Sequence, residues 1–366
     1  MCEKIYDVII LWWGASGVFC ASQISDDFST IILEWSTSPT QKLLLSAKWR
    51  WNITNKNINP SIDYVTDNSD FIQSAFWKFW VNDFLEFLKR NGIETKEEDF
   101  WRILVKSGKV LHFQEMLLNL VKNKGIPIIY EAKVESIGRD SNWFSVLQTT
   151  KWFFKWKNVV ISTGGPSFPK LWASEVAIRI AKSFNLDYLD FYPALVWFET
   201  ENDFSSLSGS SINWNLKVKK DNKIIYEQNG PILFTHRWVS GPVIFNASLF
   251  LRDLEYSKYT IHINVSNKEI TKRLLSYLWF YVNKLNNYQI YTKLKTVRWL
   301  SEAKVCWWWV STKNLTPEFE CKSIPGLYFI WECLDVTWKT WGFNLQRCRT
   351  SGAVCAKWLN AKLWNR

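Results

Sequence analysis

Residues 5–34 leave this chain few folds to choose from. Residues 5–11 are a short apolar run with β-branched positions, residues 14–17 form a small-residue turn, and residues 18–24 repeat apolar side chains at helical spacing. Residues 29–33 then give a second β-branched run that ends at Glu34. Strand, turn, helix and strand within roughly 30 residues make one βαβ unit, whose strands lie parallel in a buried sheet. From Asp7 to Gly17 the unit reads D-V-I-I-L-W-W-G-A-S-G. A dinucleotide-binding turn wants glycine at 12, 14 and 17, for the tight turn, for backbone approach to pyrophosphate and for helix–strand packing. Gly14 and Gly17 are there, and Trp12 stands at the first position. Glu34 is placed to accept from a ribose 2′-hydroxyl, and the helix N-terminus to hold an anion. Taken alone, this incomplete fingerprint is matched equally well by an ordinary buried strand and helix.

Further along, residues 71–76, 82–90 and 113–124 predict helices, the last two stopped by Gly92 and Gly125. Residues 126–137, 144–149 and 153–157 predict a small β-meander, and 158–163 a buried strand entering Gly164-Gly165-Pro166. A helix over 174–184 gives way near Tyr192-Pro193 to strand-like alternation through residue 265, then to a helical, Lys-, Tyr- and Leu-rich stretch over 268–299. From about residue 303 the α/β texture returns, with a strand at 327–330 and a helix at 344–358. The expected organisation is a nucleotide-binding domain built from 1–188 and 303–366, with 189–302 inserted between them. No internal repeat is visible.

Composition adds an anomaly. The 366 residues include 25 Trp and only 14 Gly, whereas glycine normally supplies about 7% of a chain and serves turns that tryptophan cannot. With 47% hydrophobic and 22% charged residues the chain is globular rather than disordered. The formal charge of +11 permits attraction to nucleic acid, anionic cofactors or acidic membranes without selecting one, because Lys and Arg are spread along the chain. The densest stretch, Lys217, Lys219, Lys220 and Lys223, is broken by Asp221 and reads as a solvated hairpin. Seven cysteines with no C-x-x-C pair indicate neither a zinc knuckle nor a dithiol centre, and fit reduced thiols in a cytoplasm. Glu3 and Asp7 outweigh Lys4 ahead of the apolar run over 8–21, so it does not read as an export signal. No other run approaches the about 18 apolar residues of a membrane span. The expectation is a cytoplasmic protein with a small-molecule substrate and no membrane partner.

Several segments reinforce the first. They read Q-K-L-L-L-S-A-K-W-R-W-N-I-T-N over 41–55, I-S-T-G-G-P-S-F-P over 161–169 and L-F-T-H-R-W-V-S-G-P over 233–242. Near the C-terminus come W-W-W-V-S-T over 307–312, F-I-W-E-C-L-D-V over 329–336 and W-K-T-W-G-F-N-L-Q over 338–346. In order and spacing, over nearly the whole chain, these resemble the BaiN/YhiN-type, aminoacetone-oxidase-like FAD-dependent oxidoreductases. Those carry G-G-G-A-S-G, S-G-G-G-R-C-N-x-T-N, A-T-G-G, F-T-H-x-G-x-S-G-P, G-E-x-x-D and T-G-G-Y-N-L-Q. The departures share one form: Trp12, Trp13, Trp49, Trp172, Trp238, Trp308, Trp309, Trp331, Trp338 and Trp341 stand where the family pattern has glycine. One replacement made repeatedly implies a source that decodes UGA as glycine and a translation that reads it as tryptophan. Not every tryptophan fits: Trp51 stands where the family has cysteine, and Trp35 is open to being genuine.

The resemblance implies an α/β fold with a Rossmann-like, glutathione-reductase-like FAD-binding domain and an inserted β-rich plus helical domain. By the same resemblance Gly14, Ala15, Ser16 and Gly17 cradle the pyrophosphate, and Glu34 holds the adenosine ribose. Lys42, Arg50, Asn52 and Thr54 line the FAD path, though Lys42 and Arg50 by themselves read equally as a solvated face. Val134 offers backbone groups to adenine, Thr163, Gly164 and Gly165 border the cofactor, and Asp335 binds the ribityl chain. Glu332 beside it reads equally as structural. Asn344, Leu345 and Gln346 open the last helix, whose N–H groups can stabilise negative charge on the reduced flavin. His236 has two readings: a residue fixing the domain junction, or a proton donor near the flavin, since an unperturbed imidazole titrates at about 6.5. Cys333 lacks a partner thiol and reads as a packing residue. No metal ligands are assigned.

The expected activity is transfer of electrons or hydride through FAD between a reductant, NAD(P)H by expectation, and a small organic acceptor or dioxygen. No second dinucleotide fingerprint marks a nicotinamide site. Two alternatives stay open. One is an RNA-directed flavoprotein, similar to tRNA-modifying FAD enzymes, which the +11 charge suits but which lacks a concentrated basic tract. The other is a flavin-free binding protein, if the tryptophans are real.

Overall fold

The computed structural model describes residues 5–12, 14–38, 52–139, 145–165, 175–189, 192–253, 255–265, 288–298, 303, 305–307, 310–340 and 342–364. Within it the chain forms two compact units, one of Met1–Phe191 with Trp308–Arg366, the other of Tyr192–Trp307.

The first unit is built on a five-stranded parallel sheet. Its strands run in the order Leu327–Phe329, Val159–Ile161, Val8–Leu11, Thr30–Leu33, Ile128–Ile129. The three inner strands bury every residue, which is why they read as unbroken apolar runs: a parallel sheet is covered on both faces. One cover is the Ala15–Gln23 helix, whose Phe19 ring meets Phe79, Phe84 and Phe87. The long Phe343–Trp364 helix packs against it so closely that a Cβ on Gly352 would lie 2.9 Å from the Ser16 carbonyl.

A four-stranded sheet sets Ile5–Tyr6 parallel to Phe153–Trp156, which continues through Ser145–Thr149 to Val134–Arg139 as a meander. The meander is shorter than its sequence implies, because Ile128–Ile129 leaves it to extend the parallel sheet beside Thr30–Leu33. A three-stranded sheet of Asn52–Asn55, Arg102–Val105 and Thr95–Glu98 was not legible in the sequence.

The second unit is a closed six-stranded barrel, in the order Phe198–Thr200, Val239–Ser240, Lys223–Phe234, Ser211–Lys220, Tyr259–Val265, Tyr288–Val297. Its interior is filled by Phe198, Leu216, Val218, Ile232, Phe234, Tyr259, Ile261, Ile263 and Leu294. Two expectations for this region need correction. Tyr288–Val297 is a strand, not part of a helix: Ile290, Thr292 and Leu294 are buried while Tyr291, Lys293 and Lys295 are exposed, a period of two that the Lys- and Tyr-rich composition obscured. Residues 266–287 of the expected helix lie outside the described residues. Conversely, Pro242–Ser248 is a helix within a stretch read as strands. Pro242 at its first position has no N–H to lose, and Gly241 before it holds φ 111°, where a Cβ would lie 2.4 Å from the Pro231 carbonyl.

Candidate functional site

Because the sheet is parallel, the segments leaving its strands emerge at one edge: Trp12 and Gly14, Glu34, Ser162 to Gly165, and Ile330 to Cys333. That carboxyl edge is where open α/β sheets bind ligands. Gly14 caps the first helix with no side-chain hydrogen bond, and no acidic residue occupies its first turn, so the positive helix end is left for an anion. A Cβ on Gly17 would lie 2.3 Å from the Trp12 carbonyl and 2.5 Å from Ser162 Oγ, so only glycine lets helix and strand approach here. Ser162 Oγ, 2.8 Å from the Leu11 carbonyl and 2.9 Å from the Trp12 carbonyl, ties two neighbouring strand ends together.

Glu34 is buried at the end of the Thr30–Leu33 strand, its Oε1 accepting from the Ser36 N–H at 2.7 Å and the Ser36 hydroxyl at 2.6 Å. Val134 is buried at the start of its strand, and its carbonyl accepts from Arg179 at 3.1 Å. Thr163 Oγ1 lies 3.6 Å from Cys333 Sγ, and burial pushes that thiol up to about 11. Gly164 holds φ 67°, and Gly165 follows it.

The last helix brings in the rest. Thr54 Oγ1 donates to Gln346 Oε1 at 2.6 Å, and Gly342 sits where a Cβ would be 3.3 Å from Asn52 Cβ, so Asn52 and Thr54 meet the start of that helix. Asn344 Nδ2 donates to Glu332 Oε1 at 3.3 Å, and the Leu345 carbonyl accepts from Arg349 at 2.9 Å. Asp335 accepts from the Thr312 N–H at 2.8 Å and from Ser311 Oγ at 3.2 Å; burial raises its pKa against those hydrogen bonds. Ser162, Ser311, Thr312 and the buried Arg347, whose guanidinium bridges the carbonyls of Val336 and Trp331, were missed as site residues. The first three stand inside the quoted I-S-T-G-G and W-W-W-V-S-T motifs, which was the available signal.

Lys42 and Arg50 lie outside the described residues, as do Trp13, Trp49, Trp51, Trp172, Trp308, Trp309 and Trp341. His236 is in the second unit, exposed in the turn that Thr235 Oγ1 closes onto Trp238, and has no hydrogen-bond partner among the described residues.

The residues present fit a dinucleotide except at one point. Ser16 Oγ and Asn52 Oδ1 are buried without a partner among the described residues, the condition of atoms that a bound group satisfies. Trp331 does not fit. Its backbone holds φ 62°, its indole is buried, and its ring edge lies 3.3 Å from where a Cβ on Gly14 would stand and 3.7 Å from one on Gly164. The indole N–H donates to Asn344 Oδ1 at 2.8 Å, spanning the loop to the last helix. It fills the space between Gly14 and Gly164. Trp12 shares the left-handed backbone at φ 75°, with its indole nitrogen buried and unpartnered among the described residues.

A model of the HI0933-like protein Rossmann domain matches residues 6–358. The chain belongs to that family. It is 26% identical to the ribosomal RNA dihydrouridine synthase of Haemophilus influenzae, over 95% of this chain and 97% of that protein. The Escherichia coli ribosomal RNA dihydrouridine synthase matches equally, at 26% over 96% and 97%. The 3-dehydro-bile acid delta(4,6)-reductase of Clostridium scindens is 21% identical over 95% of this chain. Two solved structures share the fold. A flavocytochrome c3 fumarate reductase gives a TM-score of 0.51 at 12% identity, covering 98% of this chain and 78% of that one. The 3-ketosteroid-delta4-(5alpha)-dehydrogenase of Rhodococcus jostii RHA1 gives 0.53 at 11% identity, covering 97% of both. Family membership bears out the resemblance read from the motifs: the protein is an FAD-dependent oxidoreductase of the BaiN/YhiN type. No helix among the described residues is long and apolar enough to cross a membrane.

Proposed function

We propose that this protein reduces a carbon–carbon double bond conjugated to a carbonyl, that its substrate is uracil within RNA, and that positions 12 and 331 are glycine in the protein its source makes. The observation that carries the reaction class is the chemistry named by the relatives. Dihydrouridine is uridine with the C5–C6 double bond, conjugated to the C4 carbonyl, saturated; the delta(4,6) bonds of a 3-oxo steroid are conjugated to the C3 carbonyl. Both reactions add a hydride and a proton across an activated double bond. FAD, when bound, would supply the hydride, and NAD(P)H is the reductant we propose for it. The chain's residues contribute the helix N-terminus at Gly14 for the pyrophosphate, Glu34 for a ribose, and the Thr54–Gln346 link that fixes the last helix beside Asn52. RNA rather than a free enone is favoured by the higher identity to the two RNA-modifying relatives and by the +11 charge.

The glycine assignment is supported by backbone conformation. Of the described tryptophans at family glycine positions, Trp12 and Trp331 hold left-handed φ, and Trp331 fills the cradle. Trp238 and Trp338 do not; they stack on Trp197 and lie under Arg347 respectively. Peptide mass mapping of protein from the source organism tests this assignment, and tryptophan at 12 and 331 would end it. For the activity, protein decoded with glycine is incubated with FAD, NAD(P)H and RNA, and dihydrouridine is counted by nucleoside mass spectrometry. Reduction of a steroidal enone without any change in RNA would move the substrate class to small molecules.

A further inference from the structure

We infer that the outer face formed by the Ser211–Lys220, Tyr259–Val265 and Tyr288–Val297 strands of the barrel is a docking surface for single-stranded RNA. The inference rests on the reading of the protein as RNA-directed and gives that reading a binding site.

The register sets the surface. Lys217 stands opposite His262, and His262 opposite Tyr291; one step along, Lys219 stands opposite Thr260 and Thr260 opposite Lys293. In each strand the alternate residues, Leu216, Val218, Ile261, Ile263, Ile290 and Leu294, fill the barrel, so Lys217, His262, Tyr291, Lys219, Thr260, Lys293 and Lys295 share the outside. Directly opposed side chains on such a ladder lie about 5 Å apart at Cβ. The face therefore carries a row of rings crossed by a row of ammonium groups.

The Tyr291 ring is available. Tyr291 is 51% exposed, and its ring meets that of His262 at 5.0 Å and 71°. Burial, then Lys219 and Lys217, lowers the His262 pKa, which favours the uncharged form of its ring. The cations are largely unopposed. Lys217 pairs with Glu227 at 3.0 Å, but Lys219, Lys293 and Lys295 have no acidic partner among the described residues. Like charges set side by side on a sheet cost stability unless a polyanion neutralises them. An exposed aromatic on a flat sheet flanked by lysines is the arrangement on which unpaired bases stack while phosphates are held at the edges. A duplex hides its base faces and would use only the lysines.

The test is fluorescence anisotropy with a labelled single-stranded oligouridylate, measured over a salt series on the full chain. We expect Lys219→Ala with Lys293→Ala to flatten the log–log salt slope by about 1.4, at about 0.7 per phosphate contact in a single strand. Tyr291→Ala should weaken binding about five- to a hundredfold at constant charge, and Tyr291→Phe should restore it. Lys109→Ala with Lys122→Ala, on exposed positions of the other unit, is the equal-charge control and should change little. Circular dichroism confirms that each variant is folded. Equal losses in the control pair, an unaffected Tyr291→Ala, or a wild-type chain that binds heparin as well as oligouridylate would overturn the docking face. The two readings fail separately. With every activity read in the protein decoded with glycine, dihydrouridine formed normally by the Lys219/Lys293 variant leaves the activity standing and removes the face; loss of RNA binding in that variant, with no dihydrouridine made by its glycine-decoded parent, does the reverse.

Discussion

Left-handed backbone costs a side chain with a Cβ about 1–2 kcal/mol that it does not cost glycine. Trp12 and Trp331 each carry that cost, and Trp331 adds an indole over Gly14 and Gly164. Restoring glycine at 12, 13, 49, 172, 238, 308, 309, 331, 338 and 341 should therefore yield a protein that purifies yellow, whereas the tryptophan form should be colourless or nearly so; absorbance near the flavin bands measures both. In the glycine background Glu34→Ala should weaken FAD about ten- to a hundredfold, the loss of a hydrogen bond to a charged group, and Glu34→Gln should do less harm. Flavin fluorescence titration gives the two affinities, and an unchanged Glu34→Ala would remove residues 5–34 from the site. Cys333 tests the burial of the same loop. Its thiol, pushed up to about 11, is almost wholly protonated at pH 8, so a disulfide-exchange reagent should leave it unmodified until the protein unfolds.

At the scale of elements, two joints hold the helices of the first unit against the rest of that unit. The first is the crossing of the Ala15–Gln23 helix over the Val8–Leu11 strand. Gly17→Ala would drive a methyl into backbone at 2.3 Å, so the helix must shift, at a cost of about 1–3 kcal/mol read from urea unfolding. The second is the docking of the Phe343–Trp364 helix. Glu320 accepts from the Gly326 N–H at 2.7 Å, from Trp358 Nε1 at 2.7 Å and from Lys362. Burial raises its pKa, but these donors outweigh burial and hold it below the ordinary glutamate range. A carboxylate with a depressed folded pKa stabilises above its unfolded value and loses that contribution as pH falls through the folded one. Glu320→Gln should thus be less stable at neutral pH by about 1.5–3 kcal/mol, with the gap to wild type closing as pH drops through the carboxylate range. Thermal melts at several pH values measure this, and a gap independent of pH would refute it.

Over the whole molecule, the chain divides into two compact units, and the barrel has a core of its own. Phe234 is fully buried inside the barrel beside Phe204 and Trp214, and Phe234→Ala should cost about 3–5 kcal/mol in unfolding experiments. What the sequence by itself determined were the features carried by local pattern: the parallel βαβ unit, the buried strands at 159–161 and 327–329, and most helices, because period and punctuation are properties of adjacent residues. The motifs determined the family as well, since their order survives the tryptophans. Tertiary structure alone decided the rest. Ile128–Ile129 joined the parallel sheet and Tyr288–Val297 closed a barrel because their partners are distant in sequence, and composition says nothing of pairing. The Asn52–Asn55 sheet, the hold of Ser311 and Thr312 on Asp335, and the row of lysines beside Tyr291 depend on the same long-range register. Sequence could place Trp331 where the resembled family has glycine, but only the fold shows what stands there: a left-handed residue whose ring lies over Gly14 and Gly164.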